Sequence, residues 1–166
     1  MINCLNVYLL ACLYMIILGL DPGLATTGYA LLKKERSILL ALEWGVIETS
    51  KSDNLPKRLH TLASDLAKLI KKFRPQIAVV ESLFVAKNLK TAINVSHARG
   101  VIALTLHQQN VRMLELTPLQ VKSRIAGYGS ASKKQVQYMV KALLNLRRTP
   151  KPDDAADALA LAICAT

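Results

Sequence analysis

The apolar positions near the start of the chain fall into short runs that turn residues separate. Residues 16–20 are all apolar or small, and this run ends at Asp21, which Pro22 and Gly23 follow. A run of this kind predicts a short strand buried on both faces, and the Pro-Gly pair predicts a turn. An acidic side chain therefore stands at the tip of a buried strand, although Asp-Pro-Gly after a strand is more often only a turn.

Two more strands are predicted next. Residues 28–33 and 37–49 are rich in aliphatic and aromatic side chains, and the polar residues 34–36 separate them. This pattern is typical of a hairpin. Together with residues 15–21, the two runs predict an antiparallel meander of three strands.

Helices and strands then alternate. Leucines at helical spacing predict a helix over residues 55–73, with candidate capping residues at 53–54. The apolar run 76–81 follows and also ends in an acid, Glu81. Because strands that follow helices usually join a parallel sheet whose carboxyl ends gather ligands, we expect Glu81 to lie near Asp21.

The pattern of the second half completes an α/β fold. We predict a helix over residues 91–109, a strand over 111–116, and two shorter helices capped by Thr117 and Ser132. Gly100 lies in the middle of the long helix, where a close helix–helix contact would account for it. The expected architecture is a mixed five-stranded sheet, an antiparallel meander plus parallel strands, flanked by helices.

The last predicted helix begins with acids and continues with alanine and leucine. Acids in a first turn suit the helix dipole, which is a sufficient structural explanation. Asp154 and Asp157, however, are three residues apart and share one face of an otherwise apolar helix. Carboxylates there are costly to bury unless a cation meets them.

The four acids at strand ends and on the last helix form a candidate metal site: Asp21, Glu81, Asp154 and Asp157. No His or Cys accompanies them, which disfavours zinc, whereas carboxylate oxygens are the ligands that Mg²⁺ and Mn²⁺ prefer. The chain carries 22 Lys and Arg against 11 Asp and Glu, a formal net charge of +11, which is typical of proteins that meet a polyanion. An acidic site in so basic a chain indicates two-metal cleavage of phosphodiesters.

The start of the chain is uncharged. Residues 1–20 approach the length of a membrane span, but the basic start of a signal peptide is missing. The three cysteines show neither disulfide nor metal-ligand spacing, which fits a reducing cytoplasm. We interpret residues 15–166 as a single domain, Met15 as its natural start, and residues 1–14 as an extension outside the fold.

Five segments of the chain resemble the RuvC family of bacterial Holliday-junction resolvases, which belongs to the RNase H-like superfamily. In chain order they are LGLDPGLATTGYA, VVESLFVAKN, KTAINVSHARGVIAL, VKSRIAGYGSASKKQVQYMV and DDAADALALAIC. The resemblance implies an RNase H-like fold and a homodimer that nicks a four-way DNA junction symmetrically, using Mg²⁺ or Mn²⁺. It further implies the branch-migration proteins RuvA and RuvB as partners, a cytoplasmic location, and no membrane partner.

The resemblance also assigns roles to residues. The family's catalytic and metal-binding acids fall on the four carboxylates above, with Asp154 taken from the Asp-x-x-Asp spacing and Asp153 left as the helix cap. The family's DNA-contacting lysines fall on Lys122 and Lys133, and its dimer contact on the helix at 91–109.

The segment after Glu81 is a candidate DNA-binding loop. From the residues alone, Phe84 is equally well a plug of the core or a ring that stacks on an unpaired base beside Lys87 and Asn88. The resemblance places the family's base-contacting aromatic on Phe84 and so favours the second interpretation.

Three alternatives remain. The segment from Asp21 to Gly28 also resembles the first phosphate loop of actin-like ATPases and sugar kinases, but those need a second half for which 166 residues leave no room. A basic junction-binding module without chemistry is the second. The third is a nuclease of the same superfamily that acts on RNA–DNA hybrids.

Overall fold

The computed structural model describes residues 14–82 and 89–166. Within them, one mixed sheet has the strand order β3-β2-β1-β4-β5. The strands are β1 (Tyr14–Asp21), β2 (Thr26–Glu35), β3 (Ile38–Glu48), β4 (Ile77–Glu81) and β5 (Arg112–Leu116). β1, β2 and β3 pair antiparallel, whereas β1, β4 and β5 run parallel. The predicted meander with added parallel strands is confirmed.

The turn between β2 and β3 lies at the end of the predicted break, and β2 is longer than predicted. The polar residues 34–36 were expected to break the strand, but Lys34 and Glu35 pair with Leu39 and Ile38. The chain turns only at Arg36, which has a positive φ of 55°. Backbone pairing continues to the turn because hydrogen bonds between strands do not depend on the polarity of the side chains. β1 likewise begins at Tyr14, one residue before the predicted start of the meander.

Five helices flank the sheet in the part of the chain that the structure describes. They are α1 (Leu55–Phe73), α2 (Leu89–Gln108), α3 (Pro118–Ala126), α4 (Lys133–Leu143) and α5 (Asp153–Ile163). Asn54, Thr117 and Ser132 cap α1, α3 and α4, as predicted. The prediction that Asp153 caps α5 is wrong, because Pro152 occupies that position and no side chain caps the helix.

Two apolar layers form the core, one on each face of the sheet. Ile17, Leu32 and Val79 point to the face that α5 covers, together with α3 and α4. Leu18, Leu31 and Val80 point to the face covered by α1 and α2. Neighbouring residues of a strand face opposite sides, so the short apolar runs are buried on both faces as predicted. In the described ranges, no helix is both long and apolar enough to cross a membrane.

Candidate active site

Two acids lie side by side where β1 and β4 end. Leu20 of β1 is paired with Val80 of β4 in parallel register. The next residue of each strand is therefore Asp21 and Glu81 at the same edge of the sheet. The buried strands behind them hold both backbones in place.

The last helix lies on the sheet at two glycines. A Cβ atom added to Gly19 of β1 would overlap the carbonyl oxygen of Ala158, and one added to Gly28 of β2 would overlap that of Asp154. Only glycine therefore permits this contact between helix backbone and strands. The close packing brings the first turns of α5 to Asp21, because Gly28 is the cross-strand partner of Asp21.

Burial and mutual repulsion act on the clustered acids. Burial, followed by the charges of Glu81, Asp157 and Asp154, raises the pKa of Asp21 from 3.8 to about 7. Burial raises the pKa of Glu81, and the charge of Asp157 adds to this. Burial also raises the pKa of Asp157. The cluster thus holds more negative charge than the surrounding protein neutralises, which is the condition that a bound cation relieves.

Lys133 is the lysine that touches this cluster. Its Nζ lies 2.9 Å from Oδ2 of Asp157 and 3.3 Å from Oδ2 of Asp153. Burial lowers the pKa of Lys133, but the hydrogen bonds and charges of the two aspartates outweigh it and leave that pKa raised. Gln137 donates from Nε2 to Oδ1 of Asp153 at 3.2 Å. Instead of capping α5, Asp153 joins α5 to α4.

Arg99 of α2 holds the end of β4, a contact that sequence reasoning missed. Its guanidinium donates to the backbone carbonyl oxygen of Glu81 and, at 2.8 Å, to Oε1 of Glu115 on β5. The side chain is only 14% exposed. A lone arginine in an apolar stretch of helix was the available signal, since a buried cation needs a partner.

A cleft of about 230 Å³ opens beside the acids. Its charged residues are Glu81, Asp157, Lys122 and Lys133, and apolar side chains of α3, α4 and α5 complete the lining. The charge of Lys122 acts to lower the pKa of Glu81. Both predicted lysines thus lie at the cleft, whereas Phe84, Lys87 and Asn88 fall outside the described residues.

The acids are not arranged as a finished metal cage. Across residues 14–82 and 89–166, no three Asp, Glu, His or Cys side chains are placed to hold one ion together. Asp157 instead directs one carboxylate oxygen to Lys133. A metal ion at this site would compete with Lys133 for Asp157.

The strand order, the paired strand-end acids and the acidic helix that crosses the sheet define a nuclease of the RNase H-like class. The family model for "Crossover junction endodeoxyribonuclease RuvC" matches residues 17–165, so the chain belongs to the RuvC family. The predicted family and fold are thereby confirmed.

Similar proteins span nearly the whole chain. A crossover junction endodeoxyribonuclease RuvC of Halothermothrix orenii is 51% identical over 90% of this chain and 91% of its own length. The corresponding protein of Petrotoga mobilis is 49% identical over 90% of this chain and 92% of its own. The structure of Thermus thermophilus RuvC in complex with a Holliday junction substrate superposes with a TM-score of 0.86 and 30% identity, covering 90% of this chain and 92% of that one.

Proposed function

We propose that this protein resolves four-way DNA junctions by metal-dependent hydrolysis of one phosphodiester in each of two strands. The observation that carries the proposal is the cluster of partly buried acids, of which Glu81 and Asp157 line a cleft together with Lys122 and Lys133. Acids at a DNA-binding surface repel phosphates unless a metal ion lies between them. The similarity to a RuvC protein in complex with a Holliday junction supports the choice of substrate.

The donor chemistry of the cluster fits hard divalent ions. Its ligands are oxygen only, and three of the four carboxyl groups have raised pKa values that a cation would lower. The residues that would hold Mg²⁺, with Mn²⁺ able to substitute and two ions in each site, are Asp21, Glu81, Asp154 and Asp157. When bound, such ions activate a water and stabilise the charge of the leaving oxygen.

The neighbouring cations position the acids and the substrate. Arg99 joins the end of β4, and with it Glu81, to Glu115 of β5. Lys133 neutralises Asp157 in the structure; with a metal ion on that carboxylate, its ammonium would be free to meet a phosphate next to the scissile bond. Lys122 lies in the same cleft and adds a second phosphate contact. We assign further DNA contacts to Phe84, Lys87 and Asn88.

A homodimer through α2 gives two such sites, one for each strand. Ile93 and Leu104 on this helix are 48% and 57% exposed. Gly100 shares their face, and a Cβ there would meet nothing within 4 Å in the described chain. A second copy of α2 would cover this apolar face. Action with RuvA and RuvB in the bacterial cytoplasm completes the proposal.

Cleavage of a mobile four-way junction tests the function. The native chain with Mg²⁺ should produce paired nicks at symmetric positions, while Asp21→Asn and Asp154→Asn bind the junction and cut nothing. Asp65→Asn, on the partly exposed outer side of α1, is the matched control and should cut like the native chain. Cleavage of an RNA–DNA hybrid alone would refute the substrate. Binding without cleavage in either metal would refute the enzymatic function.

A further inference from the structure

A second cleft lies on the other side of α4, outside the acidic cluster. It has a volume of about 260 Å³ and lies between the α3–α4 connection and the exposed side of α4. We call it the tyrosine cleft. It is lined by Ala126, Tyr128, Lys134, Gln135, Tyr138 and Met139.

Two tyrosine side chains in this cleft are largely exposed to solvent. Tyr128 is 46% exposed and Tyr138 is 69% exposed. Large aromatic rings bury much apolar area when they find a partner. Leu119, 66% exposed, also lies close by, because its side chain touches the site where a Cβ of Gly129 would be. Together these side chains form an apolar shelf that the described part of the chain leaves uncovered.

The charge of the cleft is positive. Lys134 lines it, no acid does, and Lys134 forms no ion pair with any residue in the two described ranges. A free ammonium beside exposed aromatic rings is the combination that binds nucleic-acid strands, since rings stack on bases and amines pair with phosphates. The net charge of +11 favours the same partner.

The tyrosine cleft and the cleft beside the acids, which we call the catalytic cleft after the proposed function, lie on either side of α4. Lys133 and Lys134 are consecutive residues of the first turn of α4; the former lines the catalytic cleft and the latter lines the tyrosine cleft. Their Cα atoms are therefore about 3.8 Å apart. A DNA strand carries a phosphate about every 3.4 Å along the helix axis. The side chains of the two lysines point about 100° apart around α4, however, so a strand that meets Lys133 reaches Lys134 by crossing the first turn of the helix, a path of a few nucleotides.

We infer that the tyrosine cleft binds one nucleotide of the junction strand, a few positions from the scissile phosphate. The base of this nucleotide stacks on an exposed tyrosine ring, and its phosphate pairs with Lys134. The inference rests on the proposed function and adds to it a nucleotide site that positions the strand for cleavage.

Junction binding in EDTA tests the inference without cleavage. Fluorescence anisotropy should show that Tyr138→Ala binds the junction about tenfold more weakly than the native chain, a loss typical of one stacked base. Tyr138→Phe should retain the affinity, because the ring remains. Lys134→Ala should lower the slope of log affinity against log salt by about one. A 2-aminopurine placed a few nucleotides from the scissile phosphate should change its emission on binding to the native chain and not on binding to Tyr138→Ala.

The chain contains a matched control pair. Tyr14 is 43% exposed, and Nζ of Lys33 lies 4.7 Å from the centre of its ring. This pair lies at the opposite end of β1 from Asp21, roughly 20 Å away along the strand. Tyr14→Ala should therefore leave affinity, salt slope and emission unchanged.

The outcomes separate the two hypotheses. If Tyr138→Ala and Lys134→Ala behave like Tyr14→Ala while the native chain nicks the junction, the cleft does not bind DNA and the inference is overturned, but the proposed function stands. If the native chain neither binds nor nicks the junction, the proposed function fails and the inference fails with it. Sedimentation can show that Tyr138→Ala changes the oligomeric mass of the protein relative to the native chain. If the affinity falls together with that mass, a second copy of the chain occupies the cleft and the inference is overturned.

Discussion

Replacing Asp21 by asparagine should stabilise the metal-free protein while it abolishes cleavage. The ionised carboxylate of Asp21 is partly buried and faces Glu81, Asp157 and Asp154. Asparagine has the same shape and no charge, so it removes both the desolvation cost and the repulsion. Asp21, which we propose as a catalytic residue, is thus expected to destabilise the fold when no metal is bound.

The pKa of Asp21 gives the size and sign of this effect. It is about 7 in the folded chain against an ordinary 3.8. Between these values the folded state binds more protons than the unfolded state, so the native protein loses stability as the pH rises through this window. Above pH 7, this pKa difference lowers the free energy of unfolding by roughly 4 kcal/mol. After allowance for solvent screening the loss is about 2 kcal/mol. The advantage of Asp21→Asn should therefore be small at acidic pH and reach about 2 kcal/mol in mildly alkaline buffer.

Urea unfolding in EDTA across this pH range measures the difference. The free energies of unfolding of the native chain and of Asp21→Asn should diverge as the pH rises, and Mg²⁺ should restore the native chain more than the variant. Asp65→Asn should run parallel to the native chain at every pH. A difference between Asp21→Asn and the native chain that does not change with pH would refute the argument, because it would show that Asp21 does not titrate among buried acids.

Two further predictions concern the packing of α5 and the contact of Lys133. Gly28→Val should abolish nicking but retain junction binding, because its side chain would displace the Asp154 backbone. Asp65→Asn, on the outer side of α1, should keep both, and a fully active Gly28→Val enzyme would contradict the close helix–sheet contact. Lys133→Met frees Asp157 from its 2.9 Å ion pair, so manganese affinity measured by electron paramagnetic resonance should rise several-fold. Lys134→Met, on the next residue, should leave that affinity unchanged, and equal affinities in all three proteins would show that Lys133 does not compete with the metal.

Local patterns were sufficient for most of the fold. The apolar run before Asp21 and the Pro-Gly pair after it act within a few residues, so strand and turn follow from neighbouring side chains alone. The caps at Asn54, Thr117 and Ser132 were equally predictable, because each is a hydrogen bond to the backbone three residues ahead. The predicted break at residues 34–36 contains the turn residue Arg36 but is too wide, because polarity marks a turn only indirectly.

The partners of Asp153 and Arg99 could not be predicted from local patterns. Asp153 reaches Lys133 and Gln137 only because α4 packs beside α5. Arg99 reaches the Glu81 carbonyl only because α2 crosses the end of β4. Neither contact has a fixed separation in the chain, so no spacing rule points to it.

The sequence by itself therefore determined which acids lie at strand ends and on one helix face, and to which family the chain belongs. Strand ends and helix faces follow from short-range dihedral preferences and periodicity, which are properties of neighbouring residues. Only the tertiary structure decided that Gly19 and Gly28 admit α5 to the sheet, and that Lys133 neutralises Asp157. It also separated the catalytic cleft from the tyrosine cleft on α4. These features arise where elements distant in sequence meet, because burial and charge depend on every surface that packs around a group.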